Sequence, residues 1–105
     1  MKPMIQIRNE IGKVLSIRGH AAKTKAEQTH DAIAACASVT AIAETLAAAL
    51  DKRGEQWRTT EQEVGRMTIY THNADEAALI LIDAATDGLK GMSGIYPDYI
   101  DYQDI

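Results

Sequence analysis

Between Asp31 and about Arg53 the chain is rich in alanine, the residue with the strongest helix propensity. Within this segment Cys36, Val39, Ile42, Ala43, Leu46 and Leu50 recur in steps of three and four, which lays one apolar stripe along a helix. Asp31 is placed to cap the start, and Gly54, just after Lys52 and Arg53, to stop it. A helix of this length with one apolar stripe is stable only against a second layer, so the rest of the chain has to supply that layer.

The flanking segments have the right period to do so. Met4-Ile5-Gln6-Ile7-Arg8 alternates apolar and polar residues, and Val14-Leu15-Ser16-Ile17-Arg18 does the same. The short connection Asn9 to Lys13 contains a glycine, so the two read as an antiparallel hairpin with Leu15 and Ile17 turned to the core. Ala22 to Thr29 is polar and lacks any apolar period, as a solvent-exposed loop does. Gln56 to Val64, with Trp57 as a packing residue, and Arg66 to Thr71 read as two further strands around Gly65. Asn73 with Glu76 forms the pattern of a capping box, opening a second helix with Leu79, Ile82, Ala85 or Thr86, and Leu89 on its stripe. That helix should end near Gly88 or Gly91, and Ile95-Tyr96-Pro97 breaks the pattern. Tyr99 to Ile105 reads as a final edge strand. The expectation is an α+β fold, a small single-layer mixed or antiparallel sheet with two helices, in the order β-β-α-β-β-α-β over one domain, residues 1–105.

Composition limits the partners. Of 105 residues 46% are hydrophobic and 25% charged, ordinary values for a globular chain with one modest core. Eleven basic against fifteen acidic residues give no global attraction for nucleic acid or an anionic membrane. Met1 to Asn9 has no apolar h-region, and no apolar run approaches membrane-spanning length. A lone cysteine forms no intrachain disulfide, so the fold needs no oxidising compartment and a cytoplasmic location is expected.

That cysteine, Cys36, lies in the opening turns of the long helix, and His20 ends the second strand. A histidine at a strand end can approach a helix start across one loop, and thiolate attack on a carbonyl with imidazole handling the proton is cysteine-hydrolase chemistry. The same cysteine, flanked by Ala35 and Ala37 on the Val39 stripe, also fits a small core residue. With Asp31 as cap it would sit a full turn inside the helix, where help from the helix dipole has faded. His30 and His72 read as exposed loop residues, and no His, Cys or acidic pair has metal-ligand spacing, so no metal or cofactor is expected. Asp98, Asp101 and Asp104, interleaved with Tyr96, Tyr99 and Tyr102, suit a solvated edge strand, or an edge used to pair a peptide or a second copy.

Three stretches carry a resemblance to a known family. Gly19-His20-Ala21 is similar to the Gly-His-Ala signature of the ribosomal-processing cysteine proteases, the Prp or YsxB-like family. Cys36-Ala37-Ser38-Val39-Thr40-Ala41-Ile42 resembles that family's Cys-Ala-(Ala/Ser)-Val-Ser-Ala-Leu helix start. Gly88-Leu89 followed by Tyr96-Pro97-Asp98-Tyr99-Ile100 resembles its Gly-Leu…Tyr-Pro-x-Tyr-Ile ending. The resemblance implies Cys36 as nucleophile, His20 as base, Gly19 keeping the backbone beside His20 open, and Thr40 in place of a family serine. It also implies an endopeptidase that removes an N-terminal extension from a large-subunit ribosomal protein, a homodimer, and a mobile loop over the site where Ala22 to Thr29 lies. A phage structural protein is a second substrate to consider.

Two departures qualify the match. The family's aspartate three residues before the cysteine is Ile33 here, with Asp31 two positions earlier as the available substitute. The loop from histidine to cysteine is about four residues longer than the family's. An alignment that matches Asp31 to the family aspartate puts Ala34 at the nucleophile position and describes a pseudoenzyme. The Cys36 frame also matches Ala37, Val39, Thr40 and Ala41. The alternative function is therefore a non-catalytic, dimeric peptide- or protein-binding module on the same fold.

Overall fold

A computed structural model describes residues 4–22, 24–53, 59–63 and 66–105. The elements are β1 (Ile5–Glu10), β2 (Val14–Arg18), α1 (His30–Asp51), β3 (Thr59–Glu63), β4 (Arg66–Tyr70), α2 (Glu76–Ile95) and β5 (Ile100–Asp104), with one 3-10 turn at Lys25–Glu27. This is the expected β-β-α-β-β-α-β order. Trp57, Gly54 and Gly65, with the outer parts of the strand expected over 56–64, lie outside the described residues.

The five strands form one sheet in the order β3-β4-β2-β1-β5. β1, β2, β4 and β3 pair antiparallel, while β5 runs parallel to β1 at the edge. The register places Ile7 opposite Ile17, Leu15 opposite Ile69, Ile17 opposite Met67, and Ile5 opposite Ile100. Because side chains alternate across a strand, this register gathers the apolar residues on one face. They form a single buried cluster with Ala32, Ala35, Val39, Ala43, Leu46 and Leu50 of α1 and Ala78, Ile82 and Leu89 of α2. The hairpin turns at Gly12, whose φ of +78° suits glycine, and Lys13 N–H donates back to the Glu10 carbonyl at 2.8 Å.

Several expectations need correction. The α1 cap is Thr29, whose hydroxyl accepts from the Ala32 N–H at 3.1 Å, and Asp31 occupies the first turn instead. Threonine and aspartate cap by the same chemistry, and local sequence does not choose between them. In α2 the cap is Asp75, accepting from Ala78 N–H at 2.8 Å, so the Asn73–Glu76 box does not form. That bond, and then the Arg53 guanidinium at 2.7 Å, hold the Asp75 carboxyl below its ordinary range. Ala78 is buried and Leu79 is 44% exposed, whereas Ile82, Thr86 and Leu89 are buried as the stripe expects. The helix also continues through Gly88 and Gly91 to Ile95. A Cβ on Gly88 would meet the Ile42 side chain at 3.4 Å, so the glycine admits close packing of α1 on α2. By length and composition α1 does meet the minimum for a membrane span, although Ser, Thr and Glu interrupt its apolar run. In the fold its stripe is covered by the sheet and α2.

Candidate active site

Gly19-His20-Ala21, Cys36 and the Tyr96–Ile100 stretch meet at one end of the sheet, while Gly88-Leu89 lies farther along α2. Beyond β2 the chain turns at Gly19, whose φ is +94°. A Cβ there would lie far inside van der Waals contact with the Met4 carbonyl oxygen, so the backbone entering β1 passes directly over the glycine. Next door, the Ile5 N–H donates to the Tyr99 carbonyl at 2.8 Å, which joins the Tyr96–Ile100 stretch to the start of β1.

Past Gly19 and the half-buried His20, the Ala21 N–H donates to Cys36 Sγ at 3.4 Å. Ala21 is buried, and Cys36 is half-buried at the margin of the core. One peptide unit separates the Ala21 nitrogen from the His20 Cα, so that Cα lies no more than about 6 Å from the sulfur. His20 and Cys36, 16 positions apart in the chain, are thus spatial neighbours. Cys36 is the seventh residue of α1, beyond the first turn where the helix dipole acts, so the N–H directed at its sulfur comes from the strand end instead.

The supporting residues distribute unevenly. Thr40 lies one turn past Cys36 with its side chain exposed. Asp31 is exposed in the first turn, and five helical residues place it about 140° around α1 from Cys36. Ile33, at the position of the family aspartate, is 54% exposed. The structure therefore brings Gly19, His20 and Cys36 together, leaves Asp31 on another face of α1, and places Thr40 on the Cys36 side of the helix, one turn on and exposed. His30 and His72 are exposed as expected, but His30 opens α1 rather than lying in a loop; His72 packs edge-on against Tyr70.

The connection between histidine and helix is more ordered than a featureless loop. Thr24 and Glu27 cap the 3-10 turn reciprocally, with Thr24 N–H donating to Glu27 Oε1 at 3.1 Å. At the loop's end the hydroxyls of Thr29 and Tyr99 are 3.1 Å apart, which ties the α1 cap to the C-terminal motif 70 residues away. Sequence reasoning missed this tether. Its only signal is Tyr99 within the Tyr-Pro-x-Tyr pattern, and nothing local connects that tyrosine to Thr29. On the edge strand, Arg8 pairs with Asp101 at 2.7 Å and Lys90 with Asp104 at 3.0 Å, so two of the three tail aspartates serve in ion pairs.

Among families of proteins, the one described as cysteine protease Prp matches residues 4–101. No curated protein matches the sequence significantly. Among solved structures, SMU.848 from Streptococcus mutans is similar at a TM-score of 0.75 and 20% identity, over 97% of this chain and 94% of that one. The ribosomal processing protease Prp from S. aureus in complex with a substrate peptide is similar at a TM-score of 0.76 and 13% identity, over 98% of this chain and 99% of that one. The same protease with a covalently linked product peptide gives 0.72 and 18%, over the same shares of the two chains. At these identities the likeness establishes the shared fold.

Proposed function

The chain belongs to the cysteine protease Prp family, and from that premise we propose that it is an endopeptidase acting on an extended peptide through Cys36 and His20. The observation that carries the assignment is the Ala21 N–H donated to Cys36 Sγ at 3.4 Å, because it seats the residue before Ala21 beside the thiol. His20 takes the thiol proton as sulfur bonds to the scissile carbonyl carbon and that carbonyl's electron pair moves to oxygen. When the tetrahedral species collapses, the C–N bond breaks and the His20 proton passes to the leaving amine. Water, deprotonated by His20, then attacks the thioester, and the Cys36 thiolate leaves. The Ala21 N–H favours negative charge on sulfur in the first and last of these states.

A peptide substrate is supported by the S. aureus protease of the same fold, which has been captured both with a substrate peptide and with a covalently linked product peptide. Family resemblance extends the proposal to the N-terminal extension of a large-subunit ribosomal protein as substrate and to a cytoplasmic homodimer as the working unit.

A second reading, a peptide-binding module without turnover, is favoured by Ile33 in place of the family aspartate and by Asp31 on another face of α1. One experiment separates the two. Wild type and Cys36→Ala are incubated with a library of extended peptides, and cleavage is followed by mass spectrometry. Cleavage by wild type that is lost in Cys36→Ala supports the peptidase. Peptide binding by both proteins with cleavage by neither supports the module.

A further inference from the structure

The buried polar side chains among the described residues are Asn9, Thr71 and Thr86, and all three line a single cavity of about 190 Å³. It lies between the β1–β2 turn, the residue following β4, the middle of α2 and the last residues of β5. The length of β2 separates it from the Gly19 end of the sheet, on the order of 15 Å. Two of the three polar groups are satisfied. Thr86 donates to the Asp83 carbonyl at 3.2 Å, and the Asn9 amide donates to Asp104 Oδ1 at 3.2 Å and to the Tyr102 hydroxyl at 3.4 Å. Thr71 is different. It is 4% exposed, and its hydroxyl has no hydrogen-bond partner.

The mouth of the cavity is acidic. Asp104 is paired with Lys90, but Asp83 and Asp87 face it one helical turn apart, both exposed and with no cationic partner among the described residues. Like charges at this spacing repel and weaken a helix. Its rim is apolar, with Ile11 67% and Leu79 44% exposed. A trapped water would satisfy the Thr71 hydroxyl, yet it would explain neither the unpaired carboxylates nor the apolar rim. A metal ion fits poorly, since no three His, Cys, Asp or Glu groups among the described residues converge to hold one.

We propose that this cavity binds an arginine side chain presented by a polypeptide. Its aliphatic stem would lie on Ile11 and Leu79, and its guanidinium would sit between Asp83 and Asp87. Five N–H donors in a fixed fork allow it to serve both carboxylates and the Thr71 hydroxyl at once. The assignment does not depend on cysteine chemistry.

The test uses the full chain, uniformly labelled with nitrogen-15 and titrated with N-acetyl-arginine methylamide while amide chemical shifts are followed. Saturable shifts are expected at Asn9, Ile11, Thr71 and Thr86. N-acetyl-citrulline methylamide, similar in shape but uncharged, should bind at least about tenfold more weakly, a loss that corresponds to the charge-assisted bonds. Methylguanidinium, lacking most of the stem, should bind several-fold more weakly. The surface variant Asp83→Asn/Asp87→Asn, with its folding verified from its own spectrum, should lose about fivefold or more in affinity. Cys36→Ala should bind as wild type does, which keeps this result separate from the peptidase proposal. Absence of saturable shifts at the cavity, equal binding of the citrulline compound, or undiminished binding by the double variant would overturn the proposal.

Discussion

Replacing Gly19 with alanine should unfold the His20-bearing end of the sheet at a cost that Gly12→Ala does not share. Both glycines have positive φ, +94° and +78°, and an L-residue there costs about 1–2 kcal/mol. At Gly12 nothing lies within 4 Å of the added Cβ, so the expected loss is only about 1–2 kcal/mol. At Gly19 the Cβ would collide with the Met4 carbonyl, which is backbone and has no rotamer into which to retreat. Moving it displaces Ile5, which is 3% exposed and donates to the Tyr99 carbonyl at 2.8 Å. Weakening that bond adds about 0.5–1.5 kcal/mol, and disturbed core packing adds more. The total for Gly19→Ala is therefore about 2–4 kcal/mol. In a chain of this size that lowers the melting temperature by roughly 10–25 °C. Urea denaturation of both variants, with midpoint and slope fitted separately, measures the difference. Equal losses for the two variants would refute the close approach of Met4 to Gly19.

Other consequences are more local. Burial, with the hydrogen bond to Asp104 next, pushes the Tyr102 hydroxyl up to about 12. The folded state thus holds this proton more tightly than the unfolded chain. Stability it contributes is complete below pH ~10 and lost as pH rises toward 12; phenolate absorbance should show one of four tyrosines titrating late, and Tyr102→Phe should remove that step. Asp104 runs the other way, held low by the Tyr102 hydroxyl and then by Lys90. Its contribution is present above the ordinary carboxylate range and lost as pH falls through its lowered value, so Asp104→Asn should flatten the acid limb of the stability profile. Thr29→Ala should cost about 1 kcal/mol in chemical denaturation while Thr29→Ser costs little, since only the hydroxyl caps α1. Tyr99→Phe removes the tether alone. Amide exchange should quicken around Ala32 and Ile33 while the β1–β2 amides stay protected, and uniform protection throughout would refute the tether.

The elements that could be read from the sequence are those whose information is local. Alternation at Ile5 and Ile7 and at Leu15 and Ile17, and the stripe from Val39 to Leu50, each report burial on one face through a short-range period. The misjudged details depend on contacts that no window contains. Thr29 caps α1 and is tied to Tyr99, 70 residues away. Gly88 sits inside α2 because Ile42 presses on it from another helix. Leu79 faces outward and Ala78 takes the inward place, while Ile82, Thr86 and Leu89 keep the expected stripe. At the site, Gly19, His20 and Cys36 were readable through their motifs. Asp31 lies elsewhere because position around a helix, rather than proximity in sequence, decides what a side chain can reach, whereas Thr40, four residues past Cys36, shares its side of α1. The cavity around Thr71 draws residues from several elements and has no local signature.

The assignment of Cys36 and His20 is tested most directly by the rate at which iodoacetamide alkylates the native protein at neutral pH. There is a single cysteine, so the reaction reports one sulfur, and the same chain unfolded in guanidinium supplies the reference for an ordinary thiol. A free thiol is only a few per cent thiolate at pH 7, which leaves room for an increase of tenfold or more, about 1.4 kcal/mol, where imidazole and the Ala21 N–H stabilise the anion. Native protein is predicted to react at least about tenfold faster than the unfolded chain, and His20→Ala to return it to the unfolded rate. A native rate at or below the unfolded one, unchanged by His20→Ala, would contradict the dyad.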